Sequence, residues 1–160
     1  MEEPNIIIRR AKKSDTDDIN RLLYEVHKVH SDARPDIFKV GGKKYTESEL
    51  EAIISDDKRP IFVAEESGKV LGYAFCIYKR FINDNSLTDI KTLYIDDLCV
   101  DEEARGKHIG KKLYEYVLDY ASHNGFYNVT LNVWADNAGA VKFYEKLGLR
   151  VQKIGMEKIL

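Results

Sequence analysis

The segment Leu98-Cys99-Val100-Asp101-Glu102-Glu103-Ala104-Arg105-Gly106-Lys107-His108-Ile109-Gly110-Lys111-Lys112-Leu113 decides how the chain is read. It passes from an apolar strand through a basic, glycine-containing loop into a helix. Such a junction aims backbone N–H groups and the positive helix end at one point, a natural seat for a phosphate. It is neither a G-x-G-x-x-G dinucleotide fingerprint nor a G-x-x-x-x-G-K-[ST] P-loop.

Immediately upstream, Lys91–Val100 reads as a strand whose apolar positions change parity, from Leu93 and Ile95 to Leu98 and Val100. Side chains alternate across a strand, so both pairs share a face only if an extra residue intervenes. A β-bulge is therefore predicted near Asp96-Asp97, freeing backbone groups there for a ligand. Downstream, Ile109–Asn124 is a helix with Leu113, Tyr116, Val117, Tyr120 and Ala121 facing inward and Gly125 as its stop. Val129–Trp134 follows a crossover helix and should lie parallel to the strand ending at Val100. Asn137–Leu147 is a last helix with Asn137 as its N-cap and Gly148 closing it, and Leu149–Leu160 is a terminal strand, broken at Gly155.

Toward the N-terminus, Asn5–Arg10 is a first strand. Ser14, with Asp17 three residues later, caps a helix carrying Ile19, Leu22, Leu23 and Val26 and ending near Ser31. Asp32–Tyr45 is irregular, and Thr46-Glu47-Ser48-Glu49 is a capping box for a short helix bearing Leu50, Ile53 and Ile54. Pro60–Ala64 and Val70–Tyr78 form a hairpin. The pattern gives an α/β fold over residues 1–160 as one domain, with a mixed central sheet, a bulged strand and helices on both faces.

The 160 residues suffice for one domain with a real core. A net charge of −2 argues against nucleic acid as a partner. No apolar stretch approaches the ~20 residues of a membrane span, and no secretory signal is visible, which points to the cytoplasm. The two cysteines, Cys76 and Cys99, lie in apolar runs and read as buried thiols of a reducing compartment. No His/Cys/Asp cluster has metal-ligand spacing.

Val100 followed by Arg105-Gly106-Lys107-His108-Ile109-Gly110 resembles the acyl-CoA-binding motif of the GCN5-related N-acetyltransferases (GNAT), (Q/R)-x-x-G-x-(G/A) after a bulged strand. Arg105 and Gly110 match, whereas His108 stands where the family has its middle glycine. Asn137-x-x-Ala140-x-x-Phe143-Tyr144-x-x-x-Gly148-Leu149 resembles the family's later motif, N-x-x-A-x-x-F-Y-x-x-x-G-F. The resemblance implies acetyl-CoA as co-substrate. Its pantetheine would pair like an extra strand with the backbone of Leu98, Cys99 and Val100, and the N–H groups of Lys107–Lys111, Ile109 among them, would bind the pyrophosphate. Asn137 would contact the pantetheine arm, and Tyr144 would protonate the CoA sulfur.

Lys91-Thr92-Leu93-Tyr94-Ile95-Asp96-Asp97 resembles the same strand in spermidine/spermine and protein N-terminal acetyltransferases, which implies Asp96 as general base, acting through water. Val29–Lys39 sits where the family has its substrate-side loop, with Asp32 and Asp36 as attractants for a cationic amine, and Tyr24, Tyr73, Tyr78 and Tyr94 are candidate pocket walls. The expected activity is direct acetyl transfer to a primary amine of a small molecule or peptide. The alternative is a low-turnover CoA-binding sensor or regulatory module. The resemblance leaves room for a homodimer.

Overall fold

The computed structural model describes residues 5–160. Its chain order is β1 (Ile6–Arg10), α1 (Thr16–Ala33), α2 (Glu47–Ile54), β2 (Ile61–Glu66), β3 (Lys69–Arg80), β4 (Lys91–Val100), α3 (Ile109–His123), β5 (Asn128–Leu131) and α4 (Ala138–Lys146). The strands form a five-stranded sheet in sequence order. β1 to β4 pair antiparallel and β5 joins β4 in parallel, as the crossover through α3 requires.

Two cores flank the sheet, and strand alternation assigns residues to them. Phe62, Ala64, Cys76, Leu93 and Ile95 face α3, meeting Ile109, Leu113 and Val117. Ile61, Val63, Tyr73, Phe75 and Cys99 face the other way, onto Ile19, Leu22 and Leu23 of α1 and Leu50 and Ile53 of α2. The helical spacing of the α1 and α2 residues is what turns each helix's apolar stripe to the sheet. Both cysteines are buried and unpaired, and burial pushes both thiols up, that of Cys76 to about 12.

The predicted bulge is present. Phe75 pairs with Asp97 and Cys76 with Ile95, leaving Asp96 as the extra residue on β4. Leu93 and Ile95 lie in the α3-side core, and Leu98 and Val100 pack against that same core. The Thr46 capping box also forms: the Thr46 hydroxyl accepts from the Glu49 N–H at 3.2 Å, and the Thr46 N–H donates back to Glu49 Oε1 at 3.4 Å.

Four expectations are corrected. Ser14 does not cap α1; it lies in a 3₁₀ turn, Lys13–Asp15, because the Asp15 carboxylate accepts from the Lys12 N–H and from the Arg9 guanidinium, fixing the chain one turn earlier. α1 continues to Ala33, so the first half of the expected Val29–Lys39 loop is helical. β5 stops at Leu131 rather than Trp134. Residues 149–160 form no strand: an extended segment needs a ladder partner, and β5 pairs only with β4. Among the described residues no helix is long and apolar enough to cross a membrane.

Candidate functional site

β4 and β5 are hydrogen-bonded only from Thr92–Ile95 to Asn128–Leu131. β5 ends there, while β4 continues through its bulge to Val100. One side of Leu98–Val100 is therefore left without a strand neighbour, and a cleft of about 710 Å³ opens beside it. Leu98 and Val100 form one wall, the Arg105–Lys111 loop and helix start close one end, and Ala140, Phe143 and Tyr144 of α4 form the opposite wall.

The loop is braced from behind. Asp101, buried at 3% exposure, accepts from Arg21 of α1 at 2.6 Å and from the Glu103 N–H at 3.0 Å, while its own N–H donates to the Leu71 carbonyl at 2.8 Å. Gly106 has φ +90°, and His108, exposed, is the residue before α3 at φ +57°. The left-handed geometry explains the family's glycine at this position. His108 adopts it at a cost of about 1–2 kcal/mol, and no side chain caps the helix behind it. The first N–H groups of α3 have no intrahelical acceptor by construction and open onto the cleft. Gly110 lets α4 approach, since a Cβ there would lie 3.2 Å from Phe143 Cζ.

Not every candidate side chain faces the cleft. Cys99 points into the opposite core, its thiol 3.8 Å from the Leu22 carbonyl, so only its backbone is available to a ligand. The Lys107 ammonium is tied to Glu66 at 2.8 Å. Asn137 spends its side-chain oxygen on the Ala140 N–H at 3.1 Å, capping α4 as its position predicts, and it lines a second, smaller cavity instead.

Tyr144 stands edge-on to Phe143, with ring centroids 5.1 Å apart, and to Tyr114 at 6.5 Å. Burial, with the nearby Asp97 charge, pushes its hydroxyl up to about 12. It is therefore a protonated donor at every pH near neutrality.

The bulge brings both carboxylates to one side of β4, where a regular strand would oppose them. Asp96 accepts from the Tyr45 hydroxyl and from Lys44 Nζ at 2.9 Å, both through Oδ2. Asp97 accepts from the Tyr73 hydroxyl at 2.8 Å, and burial holds its carboxyl above the ordinary range. Tyr45 and Tyr73 both pack on Phe75, which floors the pair. Lys44 and Tyr45 were missed in the sequence because an irregular loop carries no periodicity to say where it docks.

The second cavity, about 190 Å³, is lined chiefly by His30, Arg34, Phe38, Trp134, Asp136 and Asn137, with the Arg34 guanidinium paired to Asp36 and Glu157. Phe38 stacks on His30 at 5.1 Å and meets Trp134 edge-on at 5.5 Å. Burial lowers the His30 pKa. His30 and Phe38 belong to the Val29–Lys39 stretch read as the substrate-side loop, whereas Trp134, which follows β5, carried no signal in the sequence. Asp32 and Asp36 are already paired, with Lys28 and Arg34. Tyr73 is buried, Tyr78 hydrogen-bonds Tyr120, and Tyr24 and Tyr94 line neither cavity.

The chain has counterparts among known proteins. The acetyltransferase (GNAT) family model matches residues 23–149. An uncharacterized N-acetyltransferase of Archaeoglobus fulgidus is 32% identical over 149 residues, covering 92% of this chain and 95% of that protein. Another from Methanocaldococcus jannaschii, MJ1207, is 28% identical over 158 residues, 96% of this chain, and this chain spans 66% of its length. The solved structure of a tetramutant of the BH1408 protein from Bacillus halodurans superposes with a TM-score of 0.91 at 33% identity, covering 96% of this chain and 99% of that one. The motifs, the cleft and the family match converge, and the chain belongs to the GNAT family of acetyltransferases.

Proposed function

We propose that this protein transfers an acetyl group directly from acetyl-CoA to a primary amine of a small molecule or peptide. The carrying observation is that the open side of Leu98–Val100, the start of α3 and Tyr144 line one cleft. A pantetheine arm laid along the cleft would pair with the free backbone edge of Leu98, Cys99 and Val100 in the manner of a strand. The Leu98 N–H would polarise the thioester carbonyl as negative charge develops there. The pyrophosphate would rest on the N–H groups of Lys107–Lys111, with Arg105 adding charge.

The reaction balances without an acyl-enzyme. The amine nitrogen bonds the acetyl carbon, the C–S bond breaks, the amine loses a proton and the thiolate gains one. Tyr144 supplies the second proton. Asp96 accepts the first through water, using Oδ1, since Oδ2 is held by Tyr45 and Lys44. The aromatic cavity at the start of α4 is our candidate for the acceptor. Asp136 would attract an ammonium there, the Phe38 and Trp134 rings would offer it cation–π contact, and the Arg34 charge is offset by Asp36 and Glu157. Two free thiols fit a cytoplasmic setting.

The tests are Tyr144→Phe and Asp96→Asn, assayed by amine-dependent thiol release and by calorimetry with acetyl-CoA. Tyr144→Phe should bind acetyl-CoA as the parent does and lose about 10²–10⁴-fold in kcat. Full activity in that variant at every pH would remove Tyr144 as the acid. The engagement of Asp96 by Lys44 and Tyr45 favours a second reading, a CoA-binding sensor with little turnover. Acetyl-CoA binding with no thiol release across a broad amine panel, and no change on Asp96→Asn, would support it.

A further inference from the structure

A primary amine of the chain itself stands at the β4 bulge. Lys44 Nζ lies 2.9 Å from Asp96 Oδ2 and donates to the Asp96 main-chain carbonyl at 3.3 Å. Two residues further along β4 is Leu98, on the free edge that lines the cleft. The neighbours of Lys44 fix where its side chain starts. Lys43 Nζ donates to Asn20 Oδ1 of α1 at 2.7 Å. The Tyr45 ring stacks on Phe75 at 5.4 Å, with its hydroxyl on Asp96. Held on both sides, the loop delivers the Lys44 ammonium to the bulge.

Charge locates the ammonium in the same place. Burial first, then His27 and Lys44, lower the His30 pKa in the aromatic cavity. At Asp97 burial raises the carboxyl, while Tyr73 and then Lys44 oppose it. Asp97 is in turn the charge that, after burial, raises Tyr144. Base, tethered amine and acid are thus gathered around one bulge. Lys44 is 41% exposed, a half-exposed ion pair holds weakly, and a lysine stem is flexible. The ammonium is therefore placed but not locked, and its tether holds it at high local concentration.

We propose that Lys44 is an acetyl acceptor of its own active site: with acetyl-CoA in the cleft and no other amine present, the chain acetylates Lys44 Nζ in cis. This rests on the acetyl-transfer reading above. The ammonium gives one proton to Asp96 Oδ2, which passes it to water. Nζ then bonds the acetyl carbon and the C–S bond breaks. The thiolate takes a proton from Tyr144, and the second proton shed by Nζ restores Tyr144 through solvent. The reaction stops after one turnover, because an amide nitrogen is no nucleophile. It also removes the Lys44 charge and leaves Asp96 paired with Tyr45 alone, uncovering the carboxylate for an incoming amine.

The test is incubation of the full chain with acetyl-CoA and no added amine, read by site-resolved mass spectrometry. One acetyl group should appear on Lys44, about 10²–10⁴-fold faster than on Lys28 or Lys111, although these are more exposed, at 78% and 54%. The rate constant should be independent of protein concentration, and saturating CoA, which competes for the cleft, should suppress the reaction. Trace acetic anhydride, which needs no cleft, should instead mark Lys28 and Lys111 ahead of Lys44. Lys44 left unmodified while acetyl-CoA binds overturns the inference, and thiol release to an added amine panel then shows that the transferase reading stands without it. Failure of acetyl-CoA to bind in calorimetry, with no lysine modified, overturns both. A rate constant that rises with protein concentration overturns transfer in cis. Modification that CoA does not suppress, or Lys44 marked first by the anhydride as well, overturns the inference in favour of ordinary chemical reactivity.

Discussion

Gly72 is where a single atom has most leverage on the cleft. It pairs with Val100, and a Cβ built on it would lie 2.9 Å from the Cys99 carbonyl oxygen and 3.2 Å from side-chain atoms of Ile109 and Leu113. The nearest of these is backbone, so it cannot swing aside. Gly72→Ala should cost about 1–3 kcal/mol in urea unfolding and weaken acetyl-CoA binding, because β4 must move at Val100. Trp134→Ala tests the other cavity: it should raise KM for the amine several-fold and leave the affinity for acetyl-CoA unchanged, measured by steady-state kinetics and calorimetry. Retained KM across amines would detach the aromatic cavity from the acceptor.

Among elements, the join between α1 and the end of β4 is electrostatic. Burial opposes ionisation of Asp101, but the Glu103 N–H and the Arg21 guanidinium outweigh it and hold its carboxyl below the ordinary range. Asp15 is likewise held low, chiefly by its hydrogen bonds from Arg9 against the opposing effect of burial. A depressed folded-state pKa contributes stability that is present above the unfolded value near ~3.9 and is lost as pH falls through the folded value. The urea midpoint should therefore hold steady from neutrality to about pH 5 and fall steeply below about pH 4. Arg21→Ala leaves Asp101 buried without its cation and should cost about 1–3 kcal/mol at neutral pH, with a smaller loss at acid pH where Asp101 is protonated. An equal loss at both would mean that Arg21 acts by packing alone.

Element reading from sequence succeeded where periodicity meets a partner on the same chain. The parity change between Ile95 and Leu98 located the bulge because both pairs had to reach one core. The Thr46 box located α2 because capping is decided within four residues. Ser14 failed because a cation on the preceding strand, Arg9, made Asp15 the organising side chain. The final segment failed for a different reason: alternation and β-branched residues mark a chain fit to be a strand, but a ladder needs a neighbour that its own sheet does not bring to it. Of the site, the motif backbone and Tyr144 were legible, while the loop residues holding Asp96 and the rings around Phe38 were not, since their meeting is a property of the assembled fold.

For the whole molecule, the cleft is a gap in an otherwise continuous sheet, and filling it should stiffen everything around it. A ligand that binds only the folded chain stabilises it by about 2.7 kcal/mol at a hundredfold excess over Kd. For a chain of this size that is about 5–10 °C in Tm. CoA should produce that shift, with slowed amide exchange centred on Leu98–Val100 and the start of α3. An unshifted Tm would mean that CoA does not bind the folded chain, and a shift with slowed exchange centred away from Leu98–Val100 would place it elsewhere.

The bulge at Asp96 also acts as a parity bit written into the strand. Straightening the bulge into a regular ladder without shortening the strand would change the side of every side chain beyond it: Leu98 and Val100 would turn toward α1, and the Cys99 thiol would enter the cleft. Removing one residue there would instead keep Leu98 and Val100 on the face of Ile95 and lose only the backbone groups the bulge sets free. Across relatives, two residues between the positions of Ile95 and Leu98 should therefore go with a bulge, and one with a regular strand.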